Sequence, residues 1–579
     1  MFFEKYTKIA LKIISRDLKK QYIQVIFLNL LNVFLDILSL IAIYPLATSL
    51  VGQSNTRLDN LIDNLFIKLN LDLDDKSLYV LYFFIITIIF KNILLVYIKY
   101  RTVNTIEKIF KEISLKVNKK ILSKKFSYFA DNHQPVMLKN LREIPIEFKN
   151  YLDVYLNYYV CVLNLTIITL TLIFFNFKIT FLILVYIFLT TILYKVLLSE
   201  KARNWGRKGN AWAGKIYTNI IDTINLIHEI KLRNKLDFFL NKHSSLIKEW
   251  SNLMFRNKFV SSITRPIFEI FLIIPILILL IIFNTSIINT SYLPIVIVYL
   301  YAAFRTLPAL VNLNISELKK KSYFFAIEFL KELFENDKSH TSDEKNLSNV
   351  ENLFKFEKKI ELKNIRFKFP SSNNNLFDNL NLEINKYDFI GIKGESGAGK
   401  STLIKIILGL LKPTNGKIII DDNIDYKSVE TSYKNIMSYV PQNLFLLNDT
   451  ITNNVAFGLR NEIIDEKKVW GSLNSASAED FVNKLDNKLN FEIKNNGQNL
   501  SGGQAQRIAI ARALYHNPEI IILDEATNSL DNITEKRFIN DLLKLKGKVT
   551  IIFISHKLNS LEFCDKIFEL NQNGLKKSL

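Results

Sequence analysis

Three short stretches carry residue types, at spacings, that suit phosphate chemistry. Gly394-Glu395-Ser396-Gly397-Ala398-Gly399-Lys400-Ser401-Thr402 fits G-x-x-x-x-G-K-[ST]. Its glycines let backbone N–H groups face a polyphosphate at a helix N-terminus, where the peptide dipoles favour negative charge. Lys400 would reach the outer phosphates and Ser401 would ligate Mg²⁺. Further along, Ile520-Ile521-Ile522-Leu523-Asp524-Glu525 is an apolar run ending in two acids. Asp524 would hold Mg²⁺ through water, and Glu525 would orient or deprotonate an attacking water. Between them lies Leu500-Ser501-Gly502-Gly503-Gln504, opening a helical stretch. Ser501 and the glycine N–H groups would form a second anion site there. One nucleotide does not need two such sites in one chain. The spacing therefore predicts a composite site, in which Ser501, Gly502, Gly503 and Gln504 cap a phosphate held by another copy.

The elements around these stretches must position them. Phe389-Ile390-Gly391-Ile392 reads as a buried strand before the loop, and Leu403–Leu408 as a helix after it. Ile360, Leu362, Ile365, Phe367 and Phe369 suggest a half-buried strand. The C-terminal part, residues 357–579, thus reads as an α/β domain of the P-loop nucleoside-triphosphatase (NTPase) class.

The remainder is of another kind. At 579 residues the chain is too long for one core. Apolar residues make up 49% and charged ones 22%, so greasy runs and charge must be segregated. Six runs are long enough to span a bilayer, at about 22–51, 77–99, 152–175, 179–199, 264–284 and 292–314. The loops at 100–150 and 200–263 are rich in Lys and Arg and belong in the cytoplasm, whereas 52–76 carries Asp59, Asp63, Asp72, Asp74 and Asp75 and belongs outside. Both termini then fall inside. Spans 2–5 should project beyond the bilayer and double back near 131–135 (His133 reads as a turn residue) and near 222–231. Residues 1–334 read as an all-α six-helix transmembrane domain, and 335–356 as a polar linker.

Two further readings concern the ends and the charge. Residues 1–20 set Phe2, Phe3, Tyr6, Ile9, Ile13 and Ile14 against Lys5, Lys8, Lys12, Arg16 and Lys19, the pattern of a helix lying in the cytoplasmic membrane surface. No small-residue cleavage site follows, so no removable signal peptide is expected. The net charge of +20 does not imply nucleic acid: the lysines are spread over loops, with no aromatic-interleaved basic groove. Two cysteines, Cys161 and Cys564, exclude a disulfide framework and read as packing residues.

Together, the phosphate loop, the Leu500–Gln504 stretch, the acid pair and six spans resemble an ATP-binding cassette exporter of the half-transporter kind, over essentially the whole chain. The resemblance implies ATP and Mg²⁺, a dimer with a second copy, and a multi-pass place in the bacterial inner membrane. It implies that Gln442, in Tyr439-Val440-Pro441-Gln442, senses Mg²⁺, and that His556 contacts the γ-phosphate. Asp531 matches the family's D-loop aspartate, and Phe369 falls where an aromatic ring stacks on adenine. Glu525 and His556, the residues altered in degenerate sites, are intact, which favours a homodimer. Two positions depart from the pattern. Asn495 stands for a glutamate implicated in coupling to the membrane domain, and Tyr387 replaces a turn glycine, at a small expected local cost.

Ionisable residues inside spans are functional candidates. Lys91, Arg305 and the pair Arg265 and Glu269 stand out. Their placement resembles that in lipid-linked oligosaccharide flippases, so Lys91, Arg265 and Arg305 are expected to meet a diphosphate on an anionic lipid substrate. The plain alternative is structural: Arg265 pairs with Glu269, Lys91 snorkels, and Arg305 holds a carbonyl freed near Pro308. Rival functions are a multidrug, lipid A or peptide exporter, and an ATP-gated channel or regulator.

Overall fold

The computed structural model describes residues 2–51, 76–131, 134–284, 293–335, 356–369, 374–395, 397–527, 532–556, 558–571 and 574–578. Ser396, Asp531, His133, the acidic loop, most of the 335–356 linker and the short loop after span 5 lie outside the described residues. The chain divides into two compact units: residues 1–124 with 131–341, and residues 125–130 with 342–579.

The first unit is all-α. Its long helices are α1 (Phe2–Ile13), α2 (Arg16–Val51), α3 (Lys76–Leu122), α5 (Gln134–Phe175), α6 (Phe177–Asn225), α8 (Leu236–Asn284), α9 (Leu293–Ser322) and α10 (Phe324–Glu335). Along the chain between them come two short helices, α4 (Phe126–Asp131), whose residues up to 130 belong to the second unit, and α7 (Ile227–Leu232). Among the described residues α2, α3, α5, α6 and α9 are long and apolar enough to cross a membrane. Helix α8 carries the fifth expected span, whose later side chains lie outside the described residues. At 47 residues, α3 is about 70 Å long at 1.5 Å per residue, more than twice a hydrocarbon core. The expected reversal near 222–231 falls at α7, whereas that at 131–135 begins where α4 ends, with Asn132 and His133 outside the described residues. Between α5 and α6 the chain breaks at Asn176, whose extended backbone and side-chain Oδ1, accepting from Ile179 N at 3.1 Å, cap the new helix.

The N-terminal helix differs from its expected membrane-surface position on one face. Thr7, Ala10 and Ile14 are buried against protein, and the Tyr6 ring stacks on Phe324 at 4.6 Å. Tyr6 OH also donates to Glu328 at 2.6 Å. The stripe that reads as lipid-facing in sequence is thus partly covered by α10. Lys8 and Lys12 remain exposed.

The second unit is α/β. Strands β3 (Phe389–Gly394), β8 (Thr550–Ile554), β7 (Ile520–Asp524) and β6 (Met437–Val440) run parallel in one six-stranded sheet, with β9 (Lys566–Asn571) and β10 (Gly574–Lys577) on its far edge. Every residue of β7 and β8 is buried, as a strand covered on both faces requires. Each Ile or Leu so placed contributes about 1.5–3 kcal/mol. A second, antiparallel sheet has order β2-β1-β4-β5, with β1 at Lys359–Phe367, β2 at Phe377–Asn385, β4 at Asn415–Ile420 and β5 at Ile424–Asp425. The alternation in β1 slips between Leu362 and Ile365 because Asn364 takes φ +53, inserting a bulge. Phe369 lies past the strand end. Cys564 packs against Gly391, and burial pushes its thiol up to about 12, so it is a packing residue.

Candidate functional site

The parallel strands end on one edge, and the predicted phosphate residues hang from their carboxyl ends, where open α/β sheets hold ligands. Strand β3 feeds the loop that leads to Lys400. Strand β6 leads to Gln442. Strand β7 ends at Asp524 and Glu525, and β8 is followed by Ser555 and His556.

Within the loop, Gly399 takes φ +96 with the Phe377 ring 2.9 Å from where a Cβ would sit, so only glycine fits. Gly397 takes φ +86 and opens onto space, leaving a cradle that a side chain would fill. Lys400 starts the helix Lys400–Ile407 and folds back over the loop, donating from Nζ to Gly394 O at 2.8 Å and Glu395 O at 3.0 Å. Burial pushes its ammonium pKa down, while the carboxylates of Glu525 and Asp524 pull it back up. Ser401 is exposed beside it and Thr402 half-buried.

Glu525 is clamped. Gln442 Nε2 donates to Oε2 at 2.7 Å, and His556 Nε2 stands 3.1 Å from Oε1. Its backbone takes φ +52, a left-handed conformation uncommon for glutamate and typical of functional sites. Glu525 N donates to Ile554 O at 3.0 Å, tying the bend to β8. Asp524 is buried, and burial raises its carboxyl pKa; Tyr439 OH, 3.1 Å from Oδ2, opposes that rise. An ammonium, an exposed hydroxyl and a buried carboxylate around an open glycine cradle fit an Mg²⁺–polyphosphate, whose metal prefers oxygen ligands.

Ser501 caps the 14-residue helix Gly502–Tyr515 through a reciprocal capping box: Gln504 N donates to Ser501 Oγ at 3.3 Å, and Ser501 N donates to Gln504 Oε1 at 2.8 Å. Ser501 and Gly502 are exposed, while Gly503 is half-buried. Phe369 is 37% exposed and meets Phe367 edge to face at 5.0 Å. Ala398 is half-buried in the loop.

Asn495, Asn496 and Gly497 take φ +46, +60 and +91 in succession. Asn496 Oδ1 accepts from Leu446 N at 2.7 Å, and Asn496 N donates to Asn448 Oδ1 at 3.1 Å. Asparagine at 495 therefore has a backbone reason, because it tolerates the left-handed region far better than glutamate.

In the helical unit the structure brings Lys91 and Arg305 together and leaves Arg265 apart. Lys91 Nζ and Arg305 Nε both meet Asp36 Oδ1, the latter at 3.1 Å. Arg265 Nε donates to Glu269 Oε1 at 2.8 Å on one exposed helix face. Asp36 went unnoticed in the sequence because it sits inside a span chosen for its apolar run. The rule that singled out Lys91, an ionisable residue within a span, would have found it. A cavity of about 590 Å³ lies between α5, α6, α8 and α9, lined by aliphatic side chains with Thr180, Tyr186 and Tyr299.

Residues 377–528 match the family described as ABC transporter. A putative export ATP-binding/permease protein of Rickettsia typhi is 38% identical over 214 residues, which cover 37% of this chain and 37% of that protein. An ATP-dependent lipid A-core flippase of Colwellia psychrerythraea is 37% identical over 216 residues, again 37% of each. The chain thus spans little more than a third of the length of these relatives. In fold it is similar to a bacterial Atm1-family ABC exporter solved with ATP bound, with a TM-score of 0.75 at 21% identity, over 97% of this chain and 95% of that one.

Proposed function

We propose that this chain, an ABC transporter domain joined to the helical unit of an ABC exporter fold, is an ATP-driven exporter or flippase. It works as a dimer of two copies in the bacterial inner membrane, both termini cytoplasmic, and moves a polyprenyl-diphosphate-linked oligosaccharide or similar anionic lipid. The convergence of Gln442 and His556 on the two oxygens of Glu525 carries the ATPase part of this reading. ATP with Mg²⁺ supplies the free energy. Lys400 holds the phosphates, Asp524 and Ser401 hold the metal with Gln442 beside it, and Glu525 orients water. Phe369 offers the adenine a ring face. Ser501, Gly502, Gly503 and Gln504, with Asp531, complete the partner copy's site, so that closure of two domains follows occupancy of both.

Lys91 and Arg305, with Arg265 as a third cation, support the anionic substrate, and the apolar cavity suits its hydrocarbon. The test is translocation of a fluorescent polyprenyl-diphosphate glycolipid by the full chain in liposomes, beside basal ATPase. Arg305→Ala and Lys91→Ala should lose translocation and keep ATP hydrolysis. Survival of translocation in all three alanine variants, Arg265→Ala included, overturns the substrate reading. Drug or lipid A efflux then becomes the better account.

A further inference from the structure

Asp36 stands in the middle of the apolar run of α2, its side chain 5% exposed. The two cations on it are unequal. Lys91, from α3, is 4% exposed and hydrogen-bonds the carboxylate, while Arg305, from α9, is 26% exposed and its Nε, 3.1 Å away, pairs by charge without making a hydrogen bond. The Arg305 guanidinium lies 5.7 Å from the Tyr301 ring, whose OH donates to Ser39 Oγ at 3.2 Å, just beyond Asp36 on α2. One turn the other way, Asn32 Oδ1 is buried with no hydrogen-bond partner among the described residues. Two cations share one carboxylate, so the cluster keeps one positive charge uncompensated by its own members.

We propose that Asp36 is a built-in stand-in for the substrate's anionic headgroup: Lys91 holds the carboxylate in place, and Arg305 exchanges it for a phosphate oxygen. This rests on the reading that Arg305 faces an anionic lipid. A phosphate or diphosphate offers Arg305 paired acceptor oxygens and more charge than one shared carboxylate oxygen. Because Lys91 stays on Asp36, the exchange never strands a buried charge, the step that makes breaking such pairs costly. A neutral headgroup cannot displace the carboxylate, so Asp36 sets specificity for anions and tempers their affinity. A contact closed about nine-tenths of the time weakens apparent binding about tenfold.

The test measures the Kd of undecaprenyl diphosphate, with undecaprenol as the neutral control, for the full chain in phosphatidylcholine nanodiscs. Asp36→Asn should tighten diphosphate binding about tenfold and leave undecaprenol unchanged, while Asp36→Glu should bind as the parent does. Arg305→Gln should weaken binding and abolish the gain from Asp36→Asn. Should Asp36→Asn fail to fold, the double variant Asp36→Asn with Lys91→Met removes the buried pair together and should show the same tightening. Parent-like affinity in both Asp36 variants, with binding lost in Arg305→Gln, overturns the exchange and leaves the substrate site standing. Parent-like affinity in Arg305→Gln overturns the site itself.

Discussion

Gln442 Nε2 and Glu525 Oε2 are 2.7 Å apart, although the two residues lie 83 positions apart in sequence and follow different strands. His556 holds the other carboxylate oxygen at 3.1 Å. The carboxylate is thereby held at both oxygens while its backbone sits at φ +52, so its direction is set by the protein's own side chains. Removing one clamp should loosen that aim without touching the phosphate loop. His556→Ala is expected to lower kcat roughly 10–100-fold with little change in ATP affinity. Steady-state phosphate release and nucleotide binding, measured together, check the split.

Tyr439 and Asp524 form the second pair. Burial raises the Asp524 carboxyl pKa, and the Tyr439 hydroxyl offsets part of that by donating to the charged form. Asp524 must be ionised to hold a metal. Tyr439→Phe removes the donor, raises the carboxyl pKa further, and should move the acid limb of the ATPase pH profile to higher pH. More Mg²⁺ should be needed for half-maximal rate. A pH series at two Mg²⁺ concentrations reads both effects.

Tyr387 carries the turn before β3 at φ +68, with its N–H donating to Thr550 Oγ1 at 2.8 Å. Left-handed backbone costs a non-glycine residue roughly 1–2 kcal/mol. Glycine keeps the N–H bond and loses the strain, against about 0.5–1 kcal/mol of extra chain entropy. Tyr387→Gly should raise stability by about 0.5 kcal/mol, and Tyr387→Val should lower it by about 1 kcal/mol. Thermal unfolding of the purified full chain decides the order of the three.

Asn495 gives the converse case. With φ +46 in a run of three left-handed residues, Asn495→Glu should cost about 1 kcal/mol. Glutamate, the residue expected there from the sequence resemblance, should therefore destabilise this chain, which the same unfolding measurement reads as a lower midpoint.

The candidate phosphate site was legible because the conformations it needs are written in contiguous stretches. Gly397 and Gly399 must take positive φ, Lys400 must follow them, and Asp524 and Glu525 must end a buried strand; each demand restricts residue type locally. The break at α7 was legible too, as a polar interruption between long apolar stretches. The partnership of Asp36 with Lys91 and Arg305 was not. It spans 55 residues on one side, and it depends on the rotational phase of α2 against α3 and α9, which packing sets and no local pattern records. The bulge at Asn364 and the covered face of the N-terminal helix escaped for the same reason. Each is decided by what lies opposite.

The most direct test of the account is ATP turnover by the full chain carrying Glu525→Gln, with retained nucleotide and oligomeric mass measured on the same sample. Glutamine preserves the shape and removes the base. The account predicts turnover reduced by roughly 10²–10³, with ATP retained in a closed dimer of two chains. Turnover within a factor of about two of the parent, or full activity from a single chain, would contradict it.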